Sequence, residues 1–177
     1  MEYRICRERP EDIPTIRSVH ETAFPTNAEA NLVDALRNSG RLPLSLVGVV
    51  PAEKVVSHVA LSPMTLQSAD GRRVQEGIVG LGPVATLPEF RKRGYASLLI
   101  REALQLCREQ GDILVFVLGN PAFYRRFGFE KASIGNIFWE RPGFEDAFQI
   151  VELQVGALAK FSEGRSIARY APEFDAL

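Results

Sequence analysis

The sequence has only two cysteines, two histidines and one tryptophan in 177 residues, and no surplus of either charge: 21 Lys and Arg stand against 22 Asp and Glu. Each shortage excludes something. Cys6 and Cys107 lie far apart in sequence and sit in strand-like and helical pattern, which suits reduced core thiols of a cytoplasmic protein better than a disulfide framework. The His and Cys residues are scattered without ligand spacing, and no metal is expected. A near-neutral chain carries no global field for nucleic acid or an anionic membrane, so any anion site has to be local. No stretch reaches the 18 or so apolar residues of a membrane span, and MEYRICRERPEDI has no apolar centre of signal-peptide kind. What is present, 46% hydrophobic and 24% charged residues, suits one buried core. A single domain over residues 1–177 is expected, with 131–177 as its less regular extension.

Hydrophobic spacing gives the element order. Residues 3–7 alternate as a strand, and Ile13, Ile16, His20 and Ala23 recur at helical spacing after an acidic first turn. A second helix is expected over 28–38, with Leu32, Val33 and Leu36 as its stripe and Asn27 as its cap. From Leu44 to Val84 the texture is β, and LSLVGVV, KVVSHVALSPMTLQ and GIVGLGPVAT predict three antiparallel strands, the last two joined across an Asp70-Gly71 hairpin signal. Ala96, Leu99, Ile100, Ala103 and Cys107 line one face of the longest helix. ILVFVL, residues 113–118, is a continuous apolar run of the kind buried in parallel pairing. NPAFYRRFGF has room for about two helical turns, FQIVELQV supplies a late strand, and the tail after it carries no clear pattern.

The chemistry concentrates between residues 80 and 97. Gly80, Gly82 and Pro83 weaken the ladder of the strand they occupy, because Pro lacks a donor and Gly marks a bulge or a close approach. Directly after it, RKRGYA opens a helix whose first amides have no intrahelical partner, and such a start binds anions. Gly94 admits a ligand to the backbone and Ala96 keeps the next turn clear, while Arg91, Lys92 and Arg93 place cations where the helix dipole disfavours them. A phosphate-bearing ligand reconciles that charge with its position.

LGPVATLPEFRKRGYASLLIREAL, followed about 30 residues later by GNPAFYRRFGF, resembles the acetyl-CoA-binding segment and second signature of the GNAT N-acetyltransferase superfamily, in particular its YhbS-like branch. The resemblance follows element order over residues 3–130 and loosely beyond. It implies an α/β (α+β) fold: a mixed, mostly antiparallel sheet with a parallel splayed strand pair and helices on both faces. It further implies acetyl-CoA as co-substrate, held by the main chain of Val84, Ala85 and Thr86, by the amides of Arg91, Lys92, Arg93, Gly94, Tyr95 and Ala96 with Ser97, and by Asn120 and Tyr124. Thr86 and Ala96 depart slightly from the superfamily pattern, where an apolar β-branched residue and a third Gly are commoner.

The implied reaction moves an acetyl group to the amine of a small-molecule or peptide acceptor. Tyr124 matches the general acid, and an ordinary tyrosine pKa of about 10 keeps it protonated at neutral pH. Glu76 and Glu29 are the candidate bases; His58 and His20 read as hydrogen-bonded core histidines that could also titrate. Phe24, Phe138 and Trp139 are candidates for walls of the acceptor pocket. A monomer or homodimer suits the pattern. The competing reading is a non-catalytic acyl-CoA-binding or sensing module, and nucleic-acid binding through the basic triplet is disfavoured by the neutral charge.

Overall fold

The protein is described by a computed structural model covering residues 2–68, 71, 74–161 and 164–176. In chain order its elements are β1 (Arg4–Arg7), α1 (Ile13–Ala23), α2 (Ala28–Asn38), β2 (Leu44–Val50), β3 (Lys54–Pro63), β4 (Thr65–Ser68), β5 (Val74–Gln75) and β6 (Ile78–Thr86). Then follow α3 (Tyr95–Gln110), β7 (Leu114–Leu118), α4 (Pro121–Tyr124), β8 (Glu130–Lys131), β9 (Ile137–Trp139), β10 (Phe148–Glu152) and β11 (Ser166–Arg169). The chain divides into two compact units, one of Met1–Ser62, Gly82–Ala103 and Pro172–Leu177, the other of Pro63–Leu81 and Leu104–Ala171.

In the first unit β1 pairs antiparallel with β2, and β2 with β3. β2 is buried along its whole length, which fits its mostly apolar sequence, interrupted only by Ser45 and Gly48, better than one-sided alternation. α1 buries Ile16, Val19 and His20, and α2 buries Ala30, Leu32, Val33 and Leu36, so the spacing of apolar residues selects the inward face of each helix. Ile16, Val19 and Val33 pack with Val47, Val49, Ala60 and Ala85 in one core cluster. Asn27 stands at the start of α2 but makes no side-chain cap there; the Ala28 N–H donates to Thr26 Oγ1 instead, at 3.3 Å.

The expectation of three strands between Leu44 and Val84 is corrected to five. KVVSHVALSPMTLQ breaks at Met64, after Pro63, into β3 and β4, since a proline cannot donate to a ladder. The Met64 N–H then donates to Ile78 O at 2.9 Å. β4 pairs antiparallel with β5 and with β11, and β11 runs parallel to β9; β11 lies in the tail whose sequence carries no clear pattern, and β9 in a stretch ahead of the late strand where no strand is expected. Asp70 and its hairpin signal lie outside the described residues.

In the second unit β7 pairs parallel with β6 over three positions, Ile78 with Leu114, Val79 with Val115 and Gly80 with Phe116, and that ladder ends there although both strands continue. On its other edge β7 pairs antiparallel with all of β10. A strand paired on both sides and buried from Leu114 to Val117 accounts for ILVFVL. Phe116 and Phe148 stack at 5.2 Å between centroids, inside a cluster with Leu66, Ile137, Ile150 and Phe161.

Candidate functional site

At the carboxyl end of β6, Ala85 is buried in the core of the first unit while Val84 and Thr86 are half-exposed. Thr86 Oγ1 is buried without a partner among the described residues. The chain then turns through a 3-10 segment, Pro88–Phe90, into residues 91–94, all exposed, before α3 begins. Lys92 and Gly94 adopt left-handed backbone, at φ 62° and 85°, which curls successive N–H groups around a concavity suited to an anion. A Cβ built on Gly94 meets nothing within 4 Å, so the space above this turn is open to a ligand. The 16-residue helix adds the partnerless amides of its first turn and the positive end of its dipole.

The side chains of this segment do less than their charge implies. The Arg91 guanidinium donates to Thr86 O at 3.2 Å and to Ala23 O at 2.8 Å, tying the end of β6 to the end of α1. Arg93 donates to Glu89 O at 3.1 Å and lies 5.2 Å from the centre of the Phe90 ring. Two of the three cations therefore brace the loop that presents the amides, and the expectation that all three answer a ligand's phosphates is corrected to that extent. The Tyr95 ring is buried, stacked on Tyr3 at 4.0 Å, so only its main chain faces outward chemistry. Ala96 and Ser97 are half-exposed on the first turn.

Glu29, in the first turn of α2, has one carboxylate oxygen buried with no hydrogen-bond partner among the described residues. His20 and His58 are fully buried and joined, Nε2 to Nδ1, at 2.8 Å. His58 Nε2 meets Ser45 Oγ at 2.8 Å, Ser45 donates to Glu8, and Arg37 links Glu8 to Asp34 through bonds of 2.7 Å. Burial first, and the nearby Arg37 second, pull His20 down to about 4; His58 is held well below the usual histidine value by burial, then by His20 and Arg37. Both are neutral near pH 7, as the core reading of these histidines expects.

In the second unit β7 ends at Leu118 and leads through Gly119 into α4, which carries Tyr124. Asn120 caps this helix, its Oδ1 accepting the Ala122 N–H at 2.9 Å, and its own carbonyl accepts from Tyr124 N. The Asn120 side-chain oxygen therefore has a structural occupation. The Tyr124 ring lies over Gly119, where a Cβ would come within 2.4 Å, and meets Phe123 and Phe129 edge-on at 5.0 and 5.7 Å. Burial pushes its hydroxyl up to about 12, and among the described residues no side-chain hydrogen bond occupies it. Glu76 is exposed beside Gly77, whose carbonyl accepts from Ile113 at the opening end of β7. Tyr124 follows the opposite end of that strand, roughly 17 Å along, so the two are not brought together.

Sequence reasoning passed over two residues here. Gln149, almost fully buried in β10, donates to Gly119 O at 3.0 Å and to Ala147 O at 3.2 Å, fixing the loop ahead of Tyr124. Tyr170, past β11, lays its ring on Gly80, where a Cβ would come within 2.3 Å. Its hydroxyl is held up by burial and by the neighbouring Tyr124, against a hydrogen bond from the Leu118 main chain. Gly80 and Gly119 were the available signals: a glycine inside a strand, or at its end, often marks a ring laid against the backbone. Among the described residues no group of three His, Cys, Asp or Glu could hold a metal, and no helix is long and apolar enough to cross a membrane.

A strand, β6, that pairs in parallel with β7 over three positions and carries a Gly82-Pro83 step within its length, and a helix, α3, opened by an exposed turn, are features of an acyltransferase fold. The chain belongs to the GNAT acetyltransferase family, whose domain model, "Acetyltransferase (GNAT) domain", matches residues 4–132. It is 38% identical over 151 residues to the uncharacterized N-acetyltransferase YhbS of Escherichia coli K12, an alignment spanning 85% of this chain and 87% of that protein. The 1.55 Å crystal structure of Escherichia coli YhbS in complex with CoA superposes with a TM-score of 0.89 at 34% identity, covering 99% of this chain and 93% of the other. A GNAT family acetyltransferase from Brucella melitensis in complex with acetyl-CoA gives a TM-score of 0.76 at 31% identity, over 98% of this chain and 99% of that one.

Proposed function

We propose that the protein transfers an acetyl group from acetyl-CoA directly to a primary amine of a small-molecule or peptide acceptor. The carrying observation is the turn before α3, with left-handed backbone at Lys92 and Gly94, open space above Gly94 and a first helical turn of partnerless amides. A diphosphate meets in such a place several N–H donors and a helix dipole at once. The main chain from Arg91 to Ala96, with Ser97, would take the pyrophosphate, and that of Val84, Ala85 and Thr86 the pantetheine arm. The CoA and acetyl-CoA bound in the two relatives support the same choice.

In the reaction the amine nitrogen attacks the thioester carbonyl; an N–C bond forms, the C–S bond breaks, one proton leaves nitrogen and one joins sulfur. Tyr124 is assigned to protonate the departing thiolate. A hydroxyl raised to about 12 by burial stays protonated at neutral pH, and among the described residues no side-chain hydrogen bond occupies it. The carbonyl oxygen gains charge as nitrogen attacks, and the main-chain amide at Val84 is the donor assigned to it. Glu29 is assigned the proton lost by nitrogen, on the ground of its buried carboxylate oxygen without a partner. Glu76, exposed at the far end of β7, has less to support it.

Tyr124→Phe tests the assignment. Thiol release from acetyl-CoA in the presence of an amine panel should fall by about a hundredfold or more, the usual scale of general acid catalysis, while calorimetric CoA affinity stays within about twofold. Unchanged turnover removes Tyr124 as the acid. Tight acetyl-CoA binding by the wild type with no thiol release from any amine would instead mark a non-catalytic acyl-CoA-binding module.

A further inference from the structure

The turn that leads into α3 stands on a support of its own. Its two feet, Phe90 and Tyr95, face each other with ring centres 6.4 Å apart, and both pack with Leu87, Val50 and Val56 in a small core cluster of the first unit. Tyr3, one residue ahead of β1 and 92 positions from Tyr95 along the chain, enters the same cluster. Its ring lies parallel to that of Tyr95, with 4.0 Å between centres and 2° between planes.

The Tyr3 hydroxyl is held as closely as the ring. It donates to Tyr95 O at 3.3 Å, on the first residue of α3. A tyrosine has one proton to give, so Ser57 Oγ, fully buried on β3 and 2.9 Å away, donates to it in turn. Burial raises the Tyr3 hydroxyl to about 12, which keeps it a donor at neutral pH. Gly48, the β2 residue opposite Ser57, is what makes the arrangement fit: a Cβ there would fall on the Tyr3 hydroxyl and on Ser57 Oγ. The glycine inside LSLVGVV thus lets a side chain cross β2 and reach the start of α3.

Residues 91–94 themselves are exposed, and Lys92 and Gly94 hold left-handed backbone. A loop of that kind gives up conformational freedom when it grips a ligand, and fixing its ends beforehand lowers that cost. We infer that Tyr3 is a positioning residue for the diphosphate of coenzyme A: by ring and hydroxyl it fixes the first residue of α3, and with it the aim of the amides from Arg91 to Ala96. It acts through Tyr95 and needs no contact with the ligand. The inference rests on the reading that this turn holds the diphosphate, and extends that reading to a residue outside the turn.

Calorimetric titration of Tyr3→Phe and Tyr3→Leu tests it, with two probes: coenzyme A, and pantetheine, which lacks the diphosphate and is followed by its displacement of coenzyme A. Tyr3→Phe keeps the ring and loses the hydroxyl, and should weaken coenzyme A about three- to tenfold, the scale of one neutral hydrogen bond. Tyr3→Leu loses the stacked pair as well and should weaken it by about tenfold or more. Pantetheine should stay within about twofold in both, because the part of the site it occupies is independent of the turn. Ile137→Val, a core change in the second unit, should leave coenzyme A within about twofold although it too lowers stability, which separates positioning from general loosening. Should Tyr3→Leu fail to fold, Tyr3→Phe carries the test alone. Unchanged coenzyme A affinity in the Tyr3 variants overturns the inference, as does equal weakening of pantetheine, or an equal loss in Ile137→Val. Wild-type protein that gives no heat with coenzyme A defeats the reading beneath the inference and the inference with it; wild-type heat that the Tyr3 variants do not alter defeats the inference only.

Discussion

Two residues without side chains hold the aromatic groups on which the chemistry depends. Gly119 and Gly80 leave room for the rings of Tyr124 and Tyr170, each of which comes closer to the backbone than any Cβ tolerates, 2.4 and 2.3 Å. Gly119→Ala must therefore displace the Tyr124 ring or shift β7. It should cost about 1–3 kcal/mol in chemical denaturation, as overpacking does, and reduce turnover although residue 119 takes no part in proton transfer. An unchanged denaturation midpoint would show that the ring moves aside freely and is not positioned by this contact. The hydroxyl of Tyr124 has the opposite character: no side-chain partner among the described residues holds it, which leaves it available to a substrate.

Elements explain why Tyr124 stands where it does. α4 is only four residues long, too short to be stable by itself, and it is fixed by its cap and by Gln149 from β10. Asn120→Ala should lower stability by about 1 kcal/mol, while Asn120→Asp keeps the capping oxygen and most of the stability; thermal denaturation distinguishes them. Equal melting temperatures for the two variants would remove the cap from the account. The helix was legible in the sequence, because NPAFYRRFGF places Pro121 where a first helical turn accepts it, whereas Asn120 was read as a cofactor contact and its cap was not. Also legible were α1, α2, α3, β7 and the turn at Gly94, each of which has a clear period or a glycine at a defined boundary. Pro63 was a local signal for the break of β3 at Met64, but the new pairing partners of β4 were not legible from the strand pattern around it. β9 and β11 escaped because short strands in a second sheet draw their stability from aromatic packing around Trp139 and Phe148, a long-range property that no local period reveals. For the same reason Tyr170 went unread, although the glycine that admits it, Gly80, was noticed. The charges of Arg91 and Arg93 were visible, but not the carbonyl oxygens that receive them.

At the scale of the whole molecule, the chain is nearly neutral yet buries two histidines, and its stability should reflect them. Unfolded histidines take up protons near pH 6.5, whereas folded His20 does so only near 4 and folded His58 is also held low. Above about pH 6.5 both states carry neutral histidines, so the contribution is fully present. As pH falls below that point the unfolded state gains protons first, and stability should drop by up to about 1.4 kcal/mol per pH unit for each histidine. Urea denaturation between about pH 7.5 and pH 5 covers this window above most carboxylate titrations; a flat profile there would contradict neutral burial of the pair.

The family assignment is carried by the fold and by the relatives; the account's own claim is that main-chain donors, more than the basic side chains around them, hold the diphosphate carrier. Calorimetric titration with coenzyme A tests it most directly, using the wild type, Gly94→Val and Arg93→Ala side by side. The account predicts measurable heat for the wild type, loss of binding in Gly94→Val, where a side chain enters the open space over a left-handed turn, and an affinity within about threefold for Arg93→Ala, whose guanidinium already bonds Glu89 O. No heat with the wild type, or Gly94→Val binding as tightly while Arg93→Ala fails, would contradict it.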